Sequence, residues 1–190
     1  LQMRKGVSEE SKSYFEDTLN RISSIASVYE LILAKENADD DDVNLIELTE
    51  KICSTMVLNE LHKKVNLIIR PNGNKILTSS RKAVSIALIV NELVQNSIKH
   101  AFPADMAGEI SVIFNSTQDF LELHISDNGV GIKKPKSSLG LEIVHNLVVN
   151  DLNGEFRYLP EDRGTHAVIT FPVSPEVSIF HEKEDIDSGG

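Results

Sequence analysis

Apolar and polar positions recur along this chain with two different periods, and each change of period marks an element. Near the start, Phe15, Leu19, Ile22, Ala26, Tyr29 and Leu33 follow one another at steps of four and three, a heptad seam widened by Ile25, Val28 and Ile32. This predicts a helix over 11–35 in a helical bundle, most simply a dimeric four-helix bundle, because so wide a stripe needs more than one partner. A charged hinge over 36–42 follows, with its Asp run read as solvated linker. A second helix is predicted over 43–63, with Leu45, Leu48, Ile52 and Met56 on its apolar face. Residues 65–69 read as a short strand and 71–74, Pro-Asn-Gly-Asn, as a turn.

The longest helix is predicted over 80–100, stopped by Phe102 and Pro103. Three segments then alternate with period two: 109–114 (Ile110, Val112, Phe114), 120–126 (Leu121, Leu123, Ile125) and 165–171 (Ala167, Ile169, Phe171). A helix over 139–149 and a further strand over 154–158 complete the pattern. Helices on one face of a mixed, mostly antiparallel sheet make an α+β two-layer sandwich. Three regions are expected: a helical-hairpin remnant with its hinge over 1–42, a folded domain over 43–173, and an acidic tail over 174–190 expected to be disordered.

The helix over 80–100 carries the candidate chemistry. Its first half is apolar, but its second half turns polar along one stripe. Glu92, Asn96 and Lys99 stand at i, i+4 and i+7, with Asn91 and Gln95 in the row beside them, while Val94, Ile98 and Ala101 keep another face apolar. An ordinary solvated face gives the same pattern. If the stripe is buried, it needs a polar, charged group against it.

Composition narrows the partners. The formal net charge of −10 over 190 residues argues against nonspecific binding to nucleic acid or to acidic membranes. A polyanionic ligand would need local help from a divalent cation, helix N-termini and a few lysines. The single cysteine, Cys53, excludes an intramolecular disulfide framework and fits a reducing compartment. No apolar run reaches membrane-spanning length, so no membrane contact is expected in this chain, although its start without Met suggests a piece of a longer protein.

Three stretches together carry a resemblance: Asn-Glu-Leu-Val-Gln-Asn-Ser-Ile-Lys-His-Ala (91–101), Asp-Asn-Gly-Val-Gly-Ile (127–132) and Ser-Leu-Gly-Leu (138–141). In this order they resemble the N, G1 and G2 boxes of the GHKL, or Bergerat-fold, ATP-binding domain. With Gly164-Thr165 ahead of the last strand, the wording is similar to bacterial sensor histidine kinases. The helix over 11–35 and the second box without its first glycines (Ser137 and Ser138 stand there) resemble the HisKA_2/HWE branch. The resemblance covers nearly the whole chain up to Val173.

The resemblance implies a Bergerat fold that binds ATP with Mg²⁺. Asp127 would accept from the adenine amine, with Gly129, Gly131, Ile132 and Thr165 close to the base. Taken alone, Asp-Asn-Gly reads equally well as an Asx-turn. Ser138, Leu139, Gly140 and Leu141 would hold phosphate, helped by a helix N-terminus, and Lys133 to Ser137 resemble the lid. Asn96, with Asn91, would ligate Mg²⁺, since an amide oxygen suits a hard octahedral ion. Lys99 would meet a phosphate, and Glu92 would polarise the nucleophile. The implied activity is protein-histidine kinase: γ-phosphoryl transfer from ATP to a histidine and relay to a response regulator receiver domain, in a cytoplasmic homodimer formed through the hairpin. None of the six histidines falls at the acceptor position, so this chain is expected not to phosphorylate itself. Two alternatives remain: an anti-sigma-factor-like serine kinase, or a non-catalytic nucleotide-binding scaffold.

Overall fold

The computed structural model describes residues 18, 22, 26, 29–30, 42–59, 65–71, 74–103, 106–117, 119–131, 139–173 and 177–181. Of the expected bundle helix, Thr18, Ile22, Ala26, Tyr29 and Glu30 are helical and exposed. The other seam positions, the hinge over 36–41 and the lid lie outside the described residues, as do Ile132 and Ser138.

The folded unit opens with strand β1 (Asp42–Asn44) and helix α1 (Leu45–Asn59). Asn44 sets the start of the helix. Its Oδ1 accepts from the Ile46 N–H at 3.1 Å, occupying one otherwise orphaned helix donor, and its Nδ2 donates to Glu47 Oε1 at 2.9 Å, which holds the cap side chain in place. Leu45, Leu48, Ile52 and Cys53 are buried along one side.

Two more strands, β2 (Val65–Pro71) and β3 (Asn74–Ser79), lead into helix α2 (Ser80–His100). Asn74–Ser79 carries too short a pattern to read from sequence, yet Ile76 and Thr78 are buried on one side of β3. α2 runs over the span its composition predicts. Ala83, Ile86, Ile89, Val90, Leu93, Val94 and Ile98 are buried around much of its circumference, so it is the central helix of its layer. The Ala101 N–H donates to the Ser97 carbonyl at 2.9 Å, and Phe102 is buried before Pro103 ends the run.

Strands β4 (Gly108–Ser116) and β5 (Phe120–Asp127) form an antiparallel hairpin. Helix α3 (Leu139–Asn146) passes directly into a π-helical turn, Leu147–Asp151, where the sequence predicts plain helix to Val149. The Leu152 N–H reaches back to the Leu147 carbonyl at 3.1 Å, and this wider turn seats both Val148 and Leu152 in the core. Strands β6 (Glu155–Leu159) and β7 (Thr165–Pro172) close the main sheet.

That sheet has the order β2-β4-β5-β7-β6, parallel between β2 and β4 and antiparallel elsewhere. Its inner face brings Ile110, Val112, Phe114, Leu121, Leu123, Ile125, Ala167, Ile169 and Phe171 into one buried cluster with α1 and α2, as the alternation predicts. The architecture is the expected two-layer α+β sandwich. One expectation is corrected: within the tail expected to be disordered, Val177–His181 form β8, which pairs antiparallel with β3. The unpaired edge of β3 supplies the missing hydrogen-bond partners, and an acidic composition does not prevent main-chain pairing. Together β1, β3 and β8 make a second, three-stranded sheet. Among the described residues no helix is long and apolar enough to cross a membrane.

Burial pushes the Cys53 thiol from its ordinary 9.0 up to about 12. The folded chain therefore holds this proton more tightly than the unfolded chain does. The stability it adds is complete below pH 9.0 and is lost as pH rises towards about 12. A thiolate-selective disulfide reagent at neutral pH should accordingly label the native chain only as fast as it unfolds, and the chain in denaturant at once. Equal labelling rates in the two states would contradict the burial of Cys53.

Candidate functional site

The polar stripe of α2 is not a solvated face. Asn91 and Glu92 are buried, only 3% and 5% exposed, Asn96 and Lys99 are half-buried, and His100 is exposed. Burying an amide and a carboxylate side by side is unfavourable unless polar groups meet them. The helix therefore runs its second half beneath something polar.

Asp127 ends β5 on the inner face and is also buried. Its Oδ2 accepts from Ser97 Oγ at 2.9 Å, and its Oδ1 accepts from the Gly129 N–H at 3.0 Å. The first bond fastens the end of β5 to α2 one residue beyond Asn96, and the second closes the turn that follows β5. Ser97 carries no signal in the sequence, because a hydroxyl within a helix reads as neutral filler.

The loop after Asp127 is held by close backbone approach. The Val130 N–H donates to the Ala101 carbonyl at 3.0 Å, and a Cβ on Gly129 would lie 2.2 Å from that same oxygen. Asn128 turns outward and ties the loop to β4, with Glu109 N–H donating to its Oδ1 at 2.9 Å. Gly131 and Gly164 both take left-handed backbone, φ 75° and 81°, where a side chain is strained. A Cβ on Gly164 would fall on the Asp127 carbonyl oxygen, and one on Gly131 would lie 2.8 Å from the Gly164 oxygen. Three glycines thus let two loops and the end of α2 meet around Asp127.

Thr165 pairs directly with Asp127 across the sheet. Tyr158, on the inner face of β6, opposes Ala167 and stands edge-on to Phe156, with ring centroids 5.1 Å apart. Burial, and next the Asp127 carboxylate, push its hydroxyl above the ordinary range. Tyr158 is a second residue that sequence reasoning missed, since an inward aromatic on a strand reads as core. At the start of α3, Leu139 is exposed, Gly140 buried and Leu141 half-buried, and α3 packs against α2.

The structure thus gathers Asn91, Glu92, Asn96, Lys99, Asp127, Gly129, Gly131 and Thr165 around the C-terminal half of α2, with Gly140 and Leu141 on the adjoining helix. A polar depression lined by Glu109, Ser111, Ser126, Asn128, Glu161 and Arg163, and also by Asp127 and Thr165, opens where β4, β5 and the turn before β7 meet. Its lining includes no α2 residue, so it shares only the Asp127–Thr165 end with the candidate site.

The sequence profile of the histidine kinase-, DNA gyrase B- and HSP90-like ATPases matches residues 81–175. The chain belongs to this family. A second profile, the HisKA_2 histidine kinase region, matches residues 1–60, so this ATPase domain is of the HisKA_2 type. Sensor histidine kinase PdtaS of Mycobacterium tuberculosis (strain CDC 1551 / Oshkosh) is 32% identical over 182 residues, covering 91% of this chain and 35% of PdtaS. The chain therefore spans about a third of the length of this relative. The histidine kinase domain of the Erythrobacter litoralis EL346 blue-light activated histidine kinase superposes with a TM-score of 0.72 at 20% identity, over 82% of this chain and 76% of that one. Histidine kinase ThkA in complex with response regulator protein TrrA gives a TM-score of 0.58 at 16% identity, covering 92% of this chain and 55% of that one. Membership of this ATPase family brings ATP binding with it, and the fold is the GHKL, or Bergerat, fold.

The Ser97 hydroxyl donates to the Asp127 carboxylate, and a buried hydrogen bond to a charged group is worth about 1.5–3 kcal/mol. Ser97→Ala should lower unfolding stability by about that amount in urea titrations. An ordinary surface substitution would change it by less than about 0.5 kcal/mol, and a loss that small would show that Ser97 holds nothing.

Proposed function

We propose that this chain is the ATP-binding catalytic part of a two-component sensor histidine kinase. In this reading the whole protein transfers the γ-phosphoryl group of ATP to a histidine and relays it to an aspartate on a response regulator receiver domain. The observation that carries it is Asp127, a buried carboxylate fixed by Ser97 and Gly129 at the end of the polar stripe of α2. The HisKA_2 match over 1–60 supports a histidine kinase over a serine kinase of the anti-sigma type, which is expected to be a bare ATPase domain. The complex of ThkA with a response regulator supports the partner class. We assign residues 1–42 to a dimerisation and phosphotransfer region and 43–173 to the nucleotide-binding unit, extended by β8. The unit acts in the cytoplasm as part of a homodimer.

The residues fit the ligand. Asp127 has acceptor capacity beyond its two bonds, which suits the exocyclic amine of adenine. Gly129 and Gly131 keep the wall beside the base free of side-chain bulk, and Thr165 adds a hydroxyl opposite Asp127; Ile132 is assigned to the base only from its place in the Asp-Asn-Gly-Val-Gly-Ile stretch. Leu139, Gly140 and Leu141 bring backbone N–H groups of a helix start towards the phosphates, with Lys99 as a cation for the same charge, and Ser138 is assigned to them only from its place in the Ser-Leu-Gly-Leu stretch. Asn96, joined by Asn91, offers amide oxygens for Mg²⁺. That ion would neutralise phosphate charge. Glu92 orients and polarises the attacking imidazole. Phosphoryl transfer needs chiefly positioning and charge neutralisation, so this set suffices for the step.

Asp127 makes the reading testable. Guanine presents a carbonyl oxygen where adenine presents its amine, and that oxygen repels a carboxylate. A hydrogen bond worth about 1.5–3 kcal/mol corresponds to about 10- to 150-fold in affinity. ATP should therefore bind at least about tenfold more tightly than GTP, and Asp127→Ala should remove most of that ratio. Calorimetry on a variant shown to be folded decides the matter: an unchanged ratio would make Asp127 a turn residue only. Asn96→Ala should weaken ATP in the presence of Mg²⁺ far more than in EDTA. Equal losses in both buffers would remove Asn96 from the metal.

A further inference from the structure

Alternation along the strands puts a second set of residues on the outer face of the main sheet, away from the nucleotide site. Four of them form one hydrogen-bonded chain. Glu122 Oε2 stands 3.3 Å from His124 Nε2, His124 Nδ1 stands 3.0 Å from His166 Nε2, and His166 Nδ1 stands 3.0 Å from Glu161 Oε1. The links join β5 to β7 and β7 to the turn between β6 and β7. The two imidazoles are largely covered, with 18% and 21% of their side chains exposed. Val168, also on this face, is fully buried.

The chain imposes a proton count. Ionised carboxylates only accept, so each terminal link needs an N–H on the imidazole. The central link needs an N–H on one ring and a lone pair on the other. Three bonds among four ring nitrogens therefore require three protons, but two neutral imidazoles carry only two. One added proton completes the chain. A second would set N–H against N–H and break the central link.

A metal ion does not explain the pair. Metal ligation needs both nitrogens to converge on a third point. Here the ring centroids are 5.3 Å apart and the facing nitrogens 3.0 Å apart, which places those nitrogens close to the line between the rings, aimed at each other. No group of three His, Cys, Asp or Glu among the described residues could hold a metal.

The charged surroundings complete the account. Glu122 also receives Thr170 Oγ1 at 3.4 Å and faces the Arg157 guanidinium at 3.7 Å. Besides Arg157, β6 presents Glu155 on this face, β4 presents Glu109, and the turn carries Asp162 and Arg163 with Glu161. Among the described residues, two carboxylates and no cation contact the imidazoles, so the chain ends on an acceptor at both sides.

We propose that the chain Glu122–His124–His166–Glu161 is a binding site for a single proton, and that this proton fastens the turn before Thr165 to the sheet. The turn matters because Gly164 packs against the backbone of Asp127, and Thr165 is both the neighbour of His166 and the strand partner of Asp127. Proton binding on the outer face thus reaches the floor of the nucleotide site through one residue of β7.

The test is imidazole NMR on the 190-residue chain between about pH 5 and 8, the range in which histidine changes charge. His124 and His166 should take up one proton between them, with a hydrogen-bond coupling across the two rings. The Gly164 and Thr165 amides should shift at the same midpoint. Thermal unfolding supplies a second readout. In the upper part of this range the folded pair holds more of its one added proton than the unfolded chain does; at the lower end the unfolded chain approaches two while the folded pair stays at one. The stability of the wild type relative to His124→Gln should therefore peak at intermediate pH. If His124→Gln does not fold, Glu161→Gln keeps an acceptor while removing a charge, and should move proton uptake to lower pH. Two independent one-proton titrations, with Gly164 and Thr165 unmoved, would overturn the proposal, as would a stability difference that stays flat with pH. Neither readout depends on nucleotide binding or kinase activity.

Discussion

The fold turns on one buried carboxylate. Asp127 closes the strand that runs through the middle of the main sheet, where a charge has no water to lean on. A helix hydroxyl and a loop amide donate to it, one to each carboxylate oxygen. Left without partners, such a group would cost several kcal/mol. Much follows from satisfying it. Ser97 fixes the rotation of α2 relative to the sheet and so sets where Asn91, Glu92 and Asn96 point. Gly129 and Gly164 are required because the backbones that complete the site come too close for any Cβ.

Legibility in the sequence tracks the length and regularity of each element. The uninterrupted helical pattern of α2 and the clean alternation of β4, β5 and β7 leave little choice of structure. β1 is three residues long and has no period to read. β3 follows a Pro-Asn-Gly-Asn turn signal, and β8 lies in an acidic segment, so local composition points away from pairing that only tertiary contact creates. The π turn shifts hydrophobic spacing by a single residue, within what ordinary helical scatter allows. At the site, the Asp-Asn-Gly box and the polar stripe were visible as chemistry. Ser97 and Tyr158 were not, because each has the residue type its element would hold in any protein. His124 and His166 are far apart in sequence, and only the β5–β7 register joins them.

The two faces of the sheet carry different kinds of interaction. The inner face is aliphatic and aromatic until its last row, where Asp127 and Thr165 face the helices. The outer face is polar, and its network binds side chains from three strands and a turn. Because neighbouring residues on a strand point to opposite sides, Thr165 and His166 belong to both systems at once. A small displacement of β7 at this point is felt on both faces, since a packed sheet end has little room to absorb it.

β8 has a consequence for the order in which the chain can fold. β3 precedes the long helix, yet its partner on one side is the last strand described, with four of the five strands of the main sheet between them in sequence. During synthesis the main sheet and its helices can assemble while that edge of β3 still lacks a partner. The three-stranded sheet closes only when β8 emerges, and contacts so distant in sequence are the slow ones to form. Until then β3 offers bare main-chain donors and acceptors to any extended peptide nearby. The late strand therefore serves the nascent protein as a built-in guard for its own exposed edge.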